Sequence, residues 1–226
     1  MQVSKKLLLI DLDGVLVTDG DGDTKIGSEI LIVHPKLSEK LKNLNLPVAV
    51  VTHRTRREAD QILTALNISK EFLVGVFSAN DIVFSALAKG RLRILLRQGS
   101  LKSLVLSRIN EKLNIQTSSM AFIDDRMANI EDMRSCGVGM TIHVPKARLL
   151  ESDVMETFNI DEAITSLQEW SNENDGISCV QRSINLKPVI KKIDNSCRSG
   201  VIMKRHKSDF YGMTRSFIHR TRLLFR

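Results

Sequence analysis

Aromatic side chains make up only 4% of the 226 residues, so any core must be built mainly from aliphatic ones. Cysteine is nearly as scarce. Cys136, Cys179 and Cys197 form no Cys-x-x-Cys pair and have no histidine at zinc spacing, which argues against a zinc module and points to a reducing compartment. Long apolar runs are missing too: Leu7 to Ile10 is too short for a signal core, and nothing approaches the roughly 20 residues of a membrane span. The expected location is cytoplasmic. Acidic residues become rare towards the end of the chain. Residues 176–226 hold twelve Lys and Arg against Asp194 and Asp209, a net of +10, so residues 1–175 carry −3 of the overall +7.

What is present begins with Leu7-Leu8-Leu9-Ile10 running directly into Asp11-Leu12-Asp13-Gly14. Four consecutive aliphatics read as a strand buried on both faces of a parallel sheet. The carboxylates that follow stand at its carboxyl end, where open α/β sheets collect their ligands. Asp11 and Asp13, two apart on extended chain, share one side. Such close carboxylates repel unless a cation or a proton intervenes, and Mg²⁺ is the natural hard cation for oxygen ligands.

Three further stretches have the same character. Val48 to Val51 is a second aliphatic run, ending in Thr52-His53-Arg54. A hydroxyl and the backbone amides after it form an anion site at a strand-to-helix turn, although Thr52 could equally cap the helix expected through Glu58 to Leu66. Ala121-Phe122-Ile123 ends in Asp124-Asp125, followed by a helix that carries Asn129 and stops at Cys136-Gly137. Before that strand, Ser100 is a candidate N-cap for a helix running to about Leu113. This puts Lys102 in the first turn, where the helix dipole disfavours a cation and another use is implied. Lys89, at a helix end before Gly90, is the competing lysine.

Taken in order along the chain, the four stretches resemble the motifs of the haloacid dehalogenase-like (HAD) hydrolases, most of which are Mg²⁺-dependent phosphatases. The resemblance covers about residues 5–168. It implies that Asp11 is the nucleophile, that Asp13 is the acid and base, and that Thr52 and Lys102 bind the transferring phosphoryl group. It also implies a metal site of Asp11, Asp13 through its backbone carbonyl, Asp125 as direct ligand and Asp124 as its supporting neighbour, with Asn129 at a position usually polar or acidic. The activity it implies is hydrolysis of a phosphate monoester through an aspartyl-phosphate. The contrasting reading is a vestigial scaffold that acts as a binding module through its basic end.

The expected fold is α/β: a Rossmann-like, doubly wound parallel sheet with helices on both faces. Strands are expected at about 6–11, 47–52, 73–78, 120–124 and 140–144, and helices near 35–44, 55–67 and 81–89, then after Ser100 and after Asp125. Asp161 is expected to cap a last helix, Glu162 to Trp170. Arg91 to Gln98 reads either as a short strand or as an extension of the preceding helix. Asp19, Asp21 and Asp23 imitate the opening of a calcium loop, but Thr24 and Ile30 stand where it needs Gly and Glu, which leaves a solvated hairpin or flap loop. The intervals from Asp13 to Thr52 and from Thr52 to Lys102 are too full of ordinary elements to hold a large cap domain. The substrate is then a bulky or macromolecular phosphate, or a neighbouring subunit of a homo-oligomer closes the site. Residues 1–170 form the expected catalytic domain, and 171–226 a polar linker and basic tail. Phe210, Met213, Phe217 and Leu224 fall on one helical face of that tail, which suits nucleic acid or an anionic membrane.

Overall fold

A computed structural model describes residues 6–18, 29–35, 37–44, 46–68, 73–91, 101–151, 153–172 and 181–202. The aliphatic runs become its central strands. β1 (Leu7–Ile10), β3 (Val48–Val51) and β5 (Met120–Asp124) are buried at every position. With β4 (Leu73–Phe77), β6 (Met140–His143) and β9 (Arg182–Asn185) they form one parallel sheet in the order β4-β3-β1-β5-β6-β9. Chain connections leave β1 towards β3 and leave β5 towards β6, so the crevice between the carboxyl ends of β1 and β5 is the topological switch point.

Alternation along β1 builds two core layers. Leu8 and Ile10 pack with Leu41 of α1 (Leu37–Asn43), Ile62 of α2 (Arg56–Ala65) and Leu167 of α6 (Ile160–Asn172). Leu7 and Leu9 pack on the other face with Ile82 of α3 (Ala79–Ala88), Ile109 of α4 (Leu106–Leu113) and Ile130 of α5 (Met127–Ser135). The doubly wound arrangement expected from the sequence is the one observed.

The caps differ from expectation. Thr55, rather than Thr52, caps α2: its hydroxyl accepts from the Glu58 amide while the Glu58 carboxylate accepts from the Thr55 amide, a capping box. Asn159, rather than Asp161, serves α6, its side chain accepting from the Asp161 amide at 3.1 Å. Leu101 holds the cap position ahead of Lys102. Ser100, the calcium-like loop and residues 92–98 lie outside the described residues.

The largest correction concerns the expected boundary after residue 170. α6 runs on to Asn172, and three strands follow within the stretch read as linker and tail. β9 adds to the parallel sheet beside β6. β10 (Pro188–Lys192) joins β7 (Arg148–Glu151) and β8 (Val154–Phe158) in an antiparallel sheet ordered β10-β8-β7. β11 (Arg198–Ile202) pairs antiparallel with β2 (Glu29–Leu31), next to the turn that follows β1. Residues 203–226, with the amphipathic pattern, lie outside the described residues. No helix among the described residues is long and apolar enough to cross a membrane. Cys136 is an exposed free thiol and Cys197 a buried one.

Where these additions meet the main fold, Val33, Ala147, Met155 and Cys197 form a small separate core. His34 is buried beside it, edge-on to Phe158 and 3.4 Å from the Thr157 hydroxyl. Burial, then the charges of Lys191 and Lys40, outweigh Asp161 and lower its pKa from an ordinary 6.5 to about 3. The folded protein thus keeps His34 neutral where the unfolded chain would protonate it, so stability falls as pH drops from about 6.5 towards 3. In thermal melts across that window, His34→Phe is expected to flatten the acid limb.

Candidate active site

The strand ends deliver the charged side chains to the switch point. Asp11 follows β1, its amide donating to the Ile123 carbonyl of β5 at 3.1 Å. That bond ties the two strand ends that carry acids. Asp11 Oδ1 accepts from the Leu12 amide at 2.8 Å and lies 2.7 Å from Lys102 Nζ. The same ammonium sits 2.7 Å from Asp124 Oδ2. Lys102, 0% exposed, opens a 3-10 turn (Lys102–Val105) ahead of α4. Lys89 instead closes α3 as its exposed C-cap, so Lys102 is the lysine brought to the acids.

A lone buried lysine would tend to lose its proton. Burial does press the Lys102 pKa down, but Asp11 and Asp124 more than offset this and hold it above its ordinary value. For Asp11, burial pushes the pKa up, Lys102 pulls it down, and Asp124 and Asp13 push it up again, leaving it well above the usual carboxylate range. One ammonium does not neutralise this cluster.

Asp124 is tied down by the protein. Oδ1 accepts from the Arg126 amide at 2.8 Å, Oδ2 from Lys102, and Asn129 Nδ2 lies 3.0 Å from both oxygens. Asp125 stands beside Gly14, and its carbonyl lies 3.1 Å from His143 Nε2 at the end of β6. Asp11, Asp124 and Asp125 bring carboxylate oxygens within 4.8 Å of one another. An all-oxygen set of that size fits Mg²⁺. Backbone shape supports the fit. Gly14 has φ +78°, and a Cβ on it would lie 2.4 Å from Asp125 Oδ2. Gly14→Ala is therefore expected to displace Asp125 and to strain a left-handed residue by about 1–2 kcal/mol. A raised Mg²⁺ requirement for turnover, measured by titration alongside a lowered Tm, is the check.

Asp13 faces a different partner. Arg54 Nε lies 2.9 and 2.8 Å from its two oxygens, and a terminal guanidinium nitrogen 2.5 Å from Oδ1. Both side chains are largely buried, at 3% exposure for Arg54 and 17% for Asp13. Thr52, fully buried after β3, accepts the Arg54 amide on its hydroxyl at 3.1 Å. The strand end carrying Thr52 thus also grips Asp13. Sequence reading placed Arg54 beside Thr52 without giving it a role. A lone arginine has no periodicity, and only the fold shows that it reaches across 41 positions.

No family model matches the sequence, and no curated protein matches it. Solved structures do. A 3-deoxy-D-manno-octulosonate 8-phosphate phosphatase from Moraxella catarrhalis, in complex with magnesium, phosphate and KDO, is 21% identical, over 62% of this chain and 68% of that one, at TM-score 0.35. A HAD-like hydrolase from Streptococcus pneumoniae is 13% identical over 62% and 84%, at TM-score 0.43. The phosphatase of the first kind from Yersinia pestis is 14% identical over 62% and 64%, at TM-score 0.37. At these values the reading of function rests on the chain's own side chains.

Proposed function

We propose that this chain is a HAD-type phosphatase that hydrolyses a phosphate monoester through an aspartyl-phosphate on Asp11, with Mg²⁺ as cofactor. The observation that carries the reading is Lys102 Nζ at 2.7 Å from both Asp11 and Asp124. A buried carboxylate at a strand end, held by a lysine from another element and flanked by more acids, is costly for stability alone. It is suited to receiving a phosphoryl group.

The Leu12 amide and Lys102 both sit on Asp11 Oδ1, and Oδ2 is the oxygen assigned to attack. Its bond to phosphorus forms as the ester oxygen leaves, and that oxygen takes a proton from Asp13. Asp13 then removes a proton from water, whose oxygen attacks the aspartyl-phosphate and releases phosphate. Asp11, Asp125 and the Asp13 carbonyl would hold Mg²⁺, backed by Asp124; when bound, it would offset the negative charge that an incoming phosphate meets. Lys102 and the Thr52 hydroxyl would balance phosphoryl charge, since this chemistry depends on positioning and electrostatics. Arg54 pairs with the carboxylate form of Asp13, so the acid role requires the guanidinium to release it, and an arriving phosphate offers Arg54 another anion.

Purified protein screened over sugar phosphates, nucleotides and phosphorylated oligonucleotides, with and without Mg²⁺, tests the reading; no metal-stimulated phosphate release from any of them would reject it. For the role of Asp13, Asp13→Asn should slow an alkyl phosphate far more than p-nitrophenyl phosphate, whose leaving group needs little protonation. Equal losses on the two substrates would take Asp13 out of the acid role.

A further inference from the structure

Lys102 is held from two directions, and only one of them is the acids it bridges. Ser103, its neighbour in the 3-10 turn, donates its amide to Asp132 Oδ2 at 3.1 Å and its hydroxyl to Asp132 Oδ1 at 2.8 Å. Asp132 lies on α5, 29 positions later. The turn has no side-chain cap of its own, because Leu101 stands in the cap position. Amides at the start of a helical turn need an acceptor, and here a different helix provides it through both carboxylate oxygens.

Asn129 and Asp132 are three residues apart on α5, hence neighbours on one helical face. Asn129 holds the Asp124 carboxylate and Asp132 holds the turn that carries Lys102. One rigid face thereby sets the distance between the ammonium and the acids it bridges. We infer that Asp132 is a positioning residue: through Ser103 it fixes the Lys102 turn against α5, so that Lys102 spans Asp11 and Asp124. This inference rests on the phosphatase reading for its consequence in turnover, but its geometric content does not.

Two measurements on the full chain keep the two apart. Acetylation of lysines by an N-hydroxysuccinimide ester, followed by mass spectrometry, reports how well Lys102 is sheltered, with exposed Lys89 and Lys112 as internal references. Hydrolysis of p-nitrophenyl phosphate with Mg²⁺ reports its placement. In Asp132→Ala, Lys102 acetylation should rise about tenfold or more, and kcat should fall by roughly one to two powers of ten with a smaller change in KM, as misplacement by about 1 Å does. Ser103→Ala, which keeps the amide bond, should do both less, and Ser103→Thr should restore wild-type behaviour. Glu131→Gln, on the exposed face of the same helix, should do neither. If Asp132→Ala does not fold, Ser103→Ala decides in its place. A sheltered Lys102, an unchanged kcat, or a fall in Tm alone would overturn the inference. Should the wild type hydrolyse no phosphate at all, the functional reading falls, and the acetylation arm decides the positioning by itself.

Discussion

Asp11→Asn should abolish turnover, with kcat reduced by several thousandfold or more, as expected when a nucleophile is removed and nothing near it can substitute. The neighbouring acids do not stand in. Asp124 already spends its oxygens on Lys102, Asn129 and the Arg126 amide, and Asp13 on Arg54. The fold should survive, because an amide of the same shape keeps an oxygen for the Leu12 amide and for Lys102. It also removes one carboxylate from a crowded group. Tm is therefore expected to stay near the wild-type value or to rise. Steady-state kinetics and a thermal melt on the same preparation check both parts; turnover close to wild type would end the covalent mechanism.

Lys102→Met is expected to have the opposite balance, damaging both stability and activity. The substitution keeps the volume and removes the charge between Asp11 and Asp124, two carboxylates that are 5% and 0% exposed. Breaking a buried pair by deleting one partner costs about 3–5 kcal/mol. For a chain of this size that corresponds to a Tm lower by roughly 6–20 °C. Lys102 is also what draws the Asp11 pKa down against burial, so its loss moves Asp11 towards the protonated form, which is a poor nucleophile. Activity should fall at least about a hundredfold. Added Mg²⁺ should recover more Tm in the variant than in the wild type, because a cation among the three carboxylates takes over part of the missing charge. A variant as stable as the wild type without metal would show that the bridge is not what keeps the acids together.

The legible parts of the sequence were those where burial leaves a pattern. β1, β3 and β5 are covered on both faces, so each is a run of aliphatics, and the residue that ends each run faces the crevice. Asp11, Thr52 and Asp124 could be found for that reason. β9 reads Arg-Ser-Ile-Asn and β10 Pro-Val-Ile-Lys-Lys. As edge strands largely exposed to solvent they carry no apolar run, and among basic residues they looked like a tail. β2 has only three residues, too few to show a period. Within the site, Arg54 with Asp13 and Ser103 with Asp132 escaped notice because each is a pairing of ordinary polar residues far apart in sequence. Lys102 was different: a cation in the first turn of a helix is locally unfavourable, and that conflict was visible before the fold was known.

The pairing of β2 with β11 has a consequence for how the molecule is made. Val17, at the end of the turn that contains Asp13 and Gly14, bridges to Ile32 beside β2, and the partner strand of β2 arrives some 170 positions later. Local contacts among β1, β3, β4 and their helices can form early, but this ladder must wait until the chain has been synthesised past residue 202. Ordering across so long a separation carries a large loop-closure cost and is slow. The ends of β1 and β3 can thus be assembled on a nascent polypeptide while the segment beside them still lacks its partner. Closure of the β2 edge is a late event in biogenesis, and a chain released early would carry that strand edge open, the kind of surface through which unfinished proteins associate.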